Sequence, residues 1–246
     1  MEAGLLTKLI INPISYSFSK FFNMERYNIF NLIHKALRAS LYQTALQLQQ
    51  TDFTSSEEAE AAINKVREII MLFEAHAYKE DHFILPAINE YEPSVVASFE
   101  SEHQKDEQLA AQLSHDIAQV EKAFSYLEKL IAGRHLNETF VAFTVFNLQH
   151  MAREEDVINK ILWRYYSDDE IRKISGQITA SVDPWMQDFY ATWMLRGISN
   201  PEAANWMKTV EKFGPPVVFK TLLQKAGQEL PKGRFMKISQ SLAEVA

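Results

Sequence analysis

The sequence contains no cysteine among its 246 residues. This excludes disulfide scaffolds, thiolate zinc sites, iron–sulfur clusters and cysteine nucleophiles. It also agrees with a reducing compartment, and we expect a cytoplasmic protein. Glycine and proline are scarce: seven and eight of the 246 residues are about 3% each, against average usage of roughly 7% and 5%. Turn-rich β-sandwiches and barrels need many such residues, so an all-β fold is disfavoured.

Two further absences concern membranes and nucleic acids. No segment approaches 18 uninterrupted apolar residues, so we expect no transmembrane helix. The formal net charge is −7, whereas general nucleic-acid binding needs a basic face, so we expect no nucleic-acid partner. Residues 1–24 are rich in apolar side chains that Lys8 and Pro13 interrupt. We interpret them as a leader that packs on the domain rather than as a membrane anchor.

Four long segments have apolar residues at helical spacing. They run over about residues 25–50, 57–90, 93–132 and 137–166. Pro86 is expected to bend or shorten the second helix, and Gly133 to cap the third. Short connections join antiparallel neighbours, so the predicted fold is an all-α, up-down-up-down four-helix bundle over residues 25–170. His103 lies much farther from the predicted turn between the third and fourth helices than His150 does. We therefore expect the third helix to kink, to end early or to overhang the bundle.

Shorter helical segments follow the bundle, over about residues 168–180, 184–196, 200–213 and 215–229. They predict a C-terminal helical extension over residues 171–246. Its last part, residues 208–246, holds seven basic and three acidic residues, while the rest of the chain is acidic. The basic segment either docks on the bundle or presents a surface to a protein partner. Trp185, Tyr190 and Trp193 either pack the extension or roof a pocket.

The histidines carry the chemical signal. Positions i and i+4 lie on one helix face, and three histidines have a glutamate at that spacing: His76 with Glu80, His103 with Glu107, and His150 with Glu154. His34 stands alone on the first predicted helix. A single pair of this kind is usually a surface pair, but these fall on apolar stripes, where unpaired charge is costly. Two bound cations would offset that cost, so we predict seven metal ligands: His34, His76, Glu80, His103, Glu107, His150 and Glu154.

The remaining candidates are assigned to the surface. His82, His115 and His135 lie off the stripes and are expected to be surface or outer residues, and Glu102 and Asp106 to be solvated. Imidazole and carboxylate ligands without thiolate favour iron or manganese, with zinc or copper as possible occupants. Seven ligands are too many for tetrahedral structural zinc. The order His-x-x-x-Glu also differs from the Glu-x-x-His of ferritin-like sites.

The order and spacing of these residues resemble the hemerythrin-like, or HHE cation-binding, family. The stretches that carry the resemblance are 76–88 and 150–158, together with His34 and His103. It implies a four-helix bundle that holds two iron ions with an oxo or hydroxo bridge, manganese or zinc being possible substitutes. It also implies dioxygen or another small diatomic or peroxide ligand. By position, the implied ligands are His34, His76, Glu80, His103, His150 and Glu154, with both glutamates bridging.

Two positions depart from the oxygen-carrying members of that family. Glu107 stands where the carriers have a second histidine, and the last carboxylate follows His150 by four residues instead of five, the spacing of Glu155. Four histidines with an extra carboxylate resemble the iron-sensing hemerythrin-like domain of an F-box protein more than the carriers. A more anionic ligand set favours the ferric state and therefore oxidation chemistry or sensing.

Three functions follow as hypotheses. The first is a non-haem di-iron protein that binds oxygen or its reduced forms, in oxygen or iron sensing or in oxidative-stress handling. The second is a di-iron oxidase, peroxidase or nitric-oxide-handling enzyme, which needs an open coordination position and a substrate pocket. The third is a metal-stabilised interaction module whose extension binds a protein partner.

Overall fold

The computed structural model describes residues 26–243, and all regular structure in that range is helical. The long helices are α1 (Asn31–Gln50), α2 (Ser56–Lys79), α4 (Pro93–Lys122) and α5 (Tyr126–Tyr165); a π-helical turn (Glu80–Ile84) and the short α3 (Leu85–Asn89) lie between α2 and α4. The later helices are α6 (Asp168–Ala180), α7 (Pro184–Gly197), α8 (Asn200–Phe213), α9 (Pro216–Glu229) and α10 (Lys232–Ala243). Among these helices, none has the length and apolarity needed to cross a membrane. The leader predicted over residues 1–24 lies outside the described residues.

The four long helices form a bundle. Helix α1 packs against α2 and α5, and α4 packs against the same two helices. Each contributes apolar side chains to one buried cluster, including Leu37 of α1, Ile69 of α2, Leu113 of α4 and Phe143 of α5. Burial of this shared core is the main stabilising contribution, since isolated helices are marginal in water. The all-α bundle predicted from the sequence is confirmed.

The turn between α4 and α5 comes earlier than predicted. Helix α4 ends at Lys122 and α5 begins at Tyr126, because Ser125 and Glu128 form a capping box that starts a new helix. Gly133 is therefore inside α5 and not a C-cap. A Cβ there would lie 2.3 Å from the Phe53 ring, so the glycine allows that ring to pack against α5. Of the three alternatives for the third helix, the structure shows that it ends early.

The second helix changes its winding before Pro86. The π-helical turn over Glu80–Ile84 interrupts it, and Pro86 stands at the start of α3. Proline lacks the N–H that would continue the α-helical ladder, so a break is expected here. Single π-helical turns inside α-helices are frequent at functional sites. In this chain the turn begins at Glu80, whose side chain is fully buried.

The C-terminal extension contacts the bundle mainly through α7. Its first four helices occur where the sequence predicts them, and α10 is an additional one. Helix α7 packs along α1, and the backbones approach so closely that a Cβ on Gly197 would lie 2.5 Å from the carbonyl oxygen of Lys35. Trp193 is buried in the bundle core, and the Tyr190 hydroxyl donates a hydrogen bond to the carbonyl of Leu72. These two aromatic residues pack the extension against the bundle, whereas Trp185 is half exposed.

Candidate metal centre

Four histidines meet in the middle of the bundle. Each of the four long helices supplies one: His34 from α1, His76 from α2, His103 from α4 and His150 from α5. All four are buried, and their Nε2 atoms surround the carboxylates of Glu80 and Glu154, which are also buried. The structure therefore brings six of the seven sequence-predicted ligands together.

Glu80 lies between three of the histidines. Its Oε1 atom is 3.1 Å from Nε2 of His76 and 3.8 Å from Nε2 of His34. Its Oε2 atom is 3.5 Å from Nε2 of His103. The two oxygens of one carboxylate thus face histidines on opposite sides of the bundle.

Glu154 lies between the histidines in the same way. Its Oε1 atom is 3.0 Å from Nε2 of His150 and 3.9 Å from Nε2 of His103. Its Oε2 atom is 3.4 Å from Nε2 of His34. Both glutamates can therefore serve ions on two sides.

The six residues form two overlapping groups of four. One consists of His34, His76, Glu80 and Glu154, and the other of Glu80, His103, His150 and Glu154. Within each group the ligand atoms lie within 4.8 Å of one another. A first-row ion about 2.0–2.2 Å from each ligand holds its ligands roughly 3–4 Å apart, so the spacing suits one ion per group. Two ions would share both carboxylates.

The hydrogen bonding of the centre supports this fit. Both oxygens of Glu80, both oxygens of Glu154 and Nε2 of His103 are buried without a well-formed hydrogen bond among the described residues. Buried polar atoms are normally paired, because an unmade hydrogen bond is costly. Metal coordination would satisfy all five atoms. The imidazole and carboxylate set also matches the preferences of iron, manganese and zinc.

Three carboxylates outside the centre contact the Nδ1 atoms of three of the four histidines. Nδ1 lies 3.0 Å from a carboxylate oxygen in His34, 2.6 Å in His103 and 2.7 Å in His150; the partners are Glu155, Asp81 and Glu102, respectively. An ionised carboxylate can only accept, so Nδ1 carries a proton and Nε2 is the atom that a metal would bind. This pairing of ligand histidines with carboxylates is typical of metal sites.

Arginines complete two of these contacts. Arg38 lies 2.9 Å from Glu155, and Arg153 pairs with Glu102. Each arginine fixes a carboxylate that in turn orients a histidine. The sequence signal for the outer carboxylates is adjacency: Asp81 follows one ligand, as Glu155 does, and Glu102 precedes another. Each then reaches a histidine on a neighbouring helix, which a single-helix pattern does not reveal.

The neighbouring charges at the centre favour protonated histidines and ionised glutamates. Burial alone would lower the pKa of His103, but the hydrogen bond to Asp81 and the nearby carboxylates of Glu154 and Glu80 raise it to about 12. Burial also acts to lower the pKa of His34 and of His150, but the neighbouring glutamates raise both pKa values above the ordinary value. The metal-free centre therefore holds protons where a metal would bind.

The pKa values of the glutamates are shifted in the opposite direction. Burial would raise the pKa of Glu80, but the charge of His76 and the closeness of His103 and His34 hold it well below its usual range. Burial also opposes the shift at Glu155, where His34 and Arg38 lower the pKa to about 2. These carboxylates are therefore ionised at neutral pH and ready to bind cations.

Glu107 is the seventh predicted ligand, and the structure does not bring it to the centre. Its side chain is exposed and belongs to neither group. On α4 the position that follows His103 toward the core is Asp106, which is buried and accepts a hydrogen bond of 2.6 Å from Asn147. Burial raises the pKa of Asp106. The expectations that Asp106 and Glu102 are solvated are therefore wrong, because α4 turns both toward α5.

The other three histidines are exposed, as expected for surface residues. His82 stacks on the ring of Tyr78, and His135 lies 3.8 Å from Glu138 on the same helix. His115 is exposed on α4. None of them belongs to either ligand group found in residues 26–243.

Comparison with known proteins agrees with the geometry. The hemerythrin HHE cation-binding domain matches residues 26–162. The chain belongs to this family. The hemerythrin HHE match spans α1 to most of α5 and includes all six clustered residues. Family and buried His/Glu groups together are compatible with metal binding.

Several curated proteins are similar over this region. The chain is 25% identical to F-box/LRR-repeat protein 5 of Salmo salar over 62% of its own length and 21% of that protein. It is 22% identical to F-box/LRR-repeat protein 5 of Xenopus laevis over 77% of its length and 27% of the relative. It is 23% identical to a zinc finger protein BRUTUS-like of Arabidopsis thaliana over 74% of its length and 14% of the relative. The chain thus spans less than a third of these proteins, and no solved structure matches it significantly.

Proposed function

We propose that the protein is a non-haem di-iron protein that binds oxygen or its reduced forms in iron or oxygen sensing or in oxidative-stress handling. The proposed ligands are the six clustered residues His34, His76, Glu80, His103, His150 and Glu154. The observation that carries the proposal is the sharing of Glu80 and Glu154 by two groups of donors, each with its own pair of histidines. Such sharing suits two cations at close distance and not one.

Charge balance supports two highly charged ions. Two buried glutamates face the ions directly, and the carboxylates of Asp81, Glu102 and Glu155 lie behind the histidines. Arg38 and Arg153 offset two of these charges, and the remaining negative charge would stabilise ferric more than ferrous ions. A centre of this kind favours oxidation or sensing over reversible release of oxygen.

Aromatic side chains line the histidines and limit access by water. Phe30 stacks on His34, and Phe146 and Phe99 flank His150. The histidines and glutamates hold the ions in this apolar surrounding, and the outer carboxylates fix the ring orientations. Two iron ions there would supply electron exchange with dioxygen or peroxide.

Two surface cavities lie away from the six proposed ligands. One cavity of about 470 Å³ is lined by residues of α1, α7, α8 and α10, and one of about 300 Å³ by Phe53 in the turn after α1 and by residues of α2, α4 and α5. Neither is lined by any of the six proposed ligands. An oxidase or peroxidase acting on an organic substrate would need a pocket beside the metals.

The relatives support sensing over bulk oxygen transport. Their names carry F-box, LRR and zinc-finger modules, and the region similar to this chain is a minor part of each. A metal centre joined to other modules suits a role in which its state is communicated to other protein segments.

The proposal is tested by loading the protein anaerobically with ferrous iron, admitting air and recording the absorption spectrum. We expect new absorption from a bridged ferric pair that is absent in His34→Ala and present in Glu107→Gln, since only His34 lies in the cluster. A spectrum unchanged by air, with iron bound, would overturn the oxygen-responsive function. Turnover of peroxide or an organic substrate would instead favour the enzyme hypothesis.

A further inference from the structure

The first five turns of α5 carry an apolar stripe on the face opposite the bundle core. Leu127 is 65% exposed, Val145 50%, Val141 44% and Ile131 43%. At about 100° per residue these positions lie on one side of the helix, roughly 180° from the buried side chains. The stripe extends over about 27 Å, since it spans 18 residues at 1.5 Å each. Exposed apolar side chains that share one helix face in this way form a candidate interaction surface.

Two opposite charges interrupt the stripe at its middle. Arg134 and Glu138 are both exposed and lie on the same face as Leu127 and Val145. They stand one helical turn apart, on either side of Leu136, which faces the core. The stripe therefore consists of two apolar segments that are separated by one basic and one acidic residue.

This pattern is complementary to itself when two copies run antiparallel. A two-fold axis beside residue 136 places Arg134 opposite Glu138 of the second copy, and Glu138 opposite Arg134. The same axis places Leu127 opposite Val145 and Ile131 opposite Val141. Sliding one helix by seven residues would put both charges against valines. The charges thus select one register.

We propose that this face of α5 is the contact surface of a homodimer, formed by antiparallel packing of α5 against α5 of a second copy. A two-fold axis makes such an interface isologous, with the same residues contributed by both chains. Apolar side chains would supply the association energy, and the Arg134–Glu138 pairs would fix orientation. The metal ligands of α5 point to the opposite face, so the dimer does not depend on the proposed function.

The direct test is sedimentation velocity of the full chain over roughly 1–100 µM, a range that detects micromolar dissociation constants. We expect a dimer for the unmodified chain. Arg134→Glu places like charges across the axis and should weaken the dimer at least tenfold, as should Glu138→Arg. Circular dichroism of each variant checks that the helices remain folded.

Mixing the two single variants separates the interface from effects within one helix. In a mixed dimer each carboxylate at 134 or 138 faces a cation of the other chain, so association should return. A local change in helix stability could not be repaired by mixing. A mixture that stays monomeric while the unmodified chain dimerises would overturn this register.

Engineered cysteines test the register directly, because the chain has none of its own. Ile131→Cys mixed with Val141→Cys should form an intermolecular disulfide on oxidation, since these positions face each other. Ile131→Cys mixed with Val145→Cys is the matched control and should cross-link at least tenfold more slowly. Equal rates would overturn the proposed register.

A monomer over the whole concentration range would overturn the dimer. Leu127→Cys then identifies the occupant by its rate of reaction with a maleimide. Slow labelling would assign the stripe to another segment of the same chain, and fast labelling would leave it open to solvent. Either outcome contradicts the proposal.

Discussion

Oε1 of Glu155 lies 3.0 Å from Nδ1 of His34, so a carboxylate on α5 orients a histidine on α1. The neighbouring Glu154 reaches Nε2 of the same ring at 3.4 Å. Two consecutive glutamates thus contact the two nitrogens of one imidazole from the same helix. Glu155 fixes the tautomer that leaves Nε2 available, and Glu154 is positioned to share the ion that Nε2 would bind.

Replacing Glu155 by glutamine should weaken metal binding without removing a ligand. The amide holds Nδ1 less firmly, and loss of such outer partners costs about 10–100-fold in metal affinity. Competition with a chelator measures the change. Asp156→Asn is the matched control, because Asp156 is exposed and pairs with Lys160 on the surface of α5; equal losses in both variants would contradict the role of Glu155.

Glu80→Gln should reduce the metal content of the loaded protein from two ions per chain to fewer than two. Glu80 belongs to both ligand groups, so both ions lose an anionic ligand at once. Glu107→Gln serves as control and should retain two ions, since Glu107 is exposed and outside the groups. Elemental analysis after gel filtration measures both. A loss of metal in Glu107→Gln would return that residue to the ligand set.

Metal affinity should rise with pH. The metal-free protein holds a proton on His103 up to a pKa of about 12, and the pKa values of His34 and His150 are also raised. Metal and proton compete for the same Nε2 atoms, so each displaced proton strengthens binding by about tenfold per pH unit. Zinc titrations between about pH 6 and 8, with calorimetry in buffers of different ionisation enthalpy, measure the slope and the number of protons released. Affinity independent of pH would show that these histidines are neutral before the metal binds.

Gly197→Ala should loosen the extension from α1. The added Cβ would lie 2.5 Å from the carbonyl oxygen of Lys35, and backbone cannot move aside as a flexible side chain can. We expect a loss of about 1–3 kcal/mol in the free energy of unfolding, the usual cost of overpacking.

Gly176→Ala is the matched control for that change. It lies inside α6, and a Cβ there meets nothing within 4 Å. Alanine in an open helical position should stabilise the protein by about 0.5–1 kcal/mol. Urea unfolding measures both variants, and an equal response of the two would contradict the close approach of α7 to α1.

The sequence predicted what depends on periodicity within one helix. His76 and Glu80 share a face because they are four residues apart, as do His150 and Glu154, and both pairs lie in the core as predicted. At His103 the same spacing indicated Glu107. The core face of α4 instead continues through Asp106, a position that a spacing of three also allows.

Contacts between helices could not be predicted in this way. Asp81 reaches His103, and Glu102 reaches His150, only because α2, α4 and α5 pack at a particular rotation. The turn before α5 comes earlier than predicted for a local reason. The capping box at Ser125 starts α5 there, so Gly133 lies inside the helix and does not mark its boundary. Rotation and register of packed helices come from the fit of many side chains, which single-helix patterns do not contain.

We propose that Glu80 and Glu154 together hold two metal ions. The most direct test is the number of iron ions per folded chain after anaerobic loading and gel filtration, measured by elemental analysis against amino-acid analysis. We expect two ions per chain, and fewer than two in Glu154→Gln. One ion or none in the correctly folded unmodified chain would contradict it.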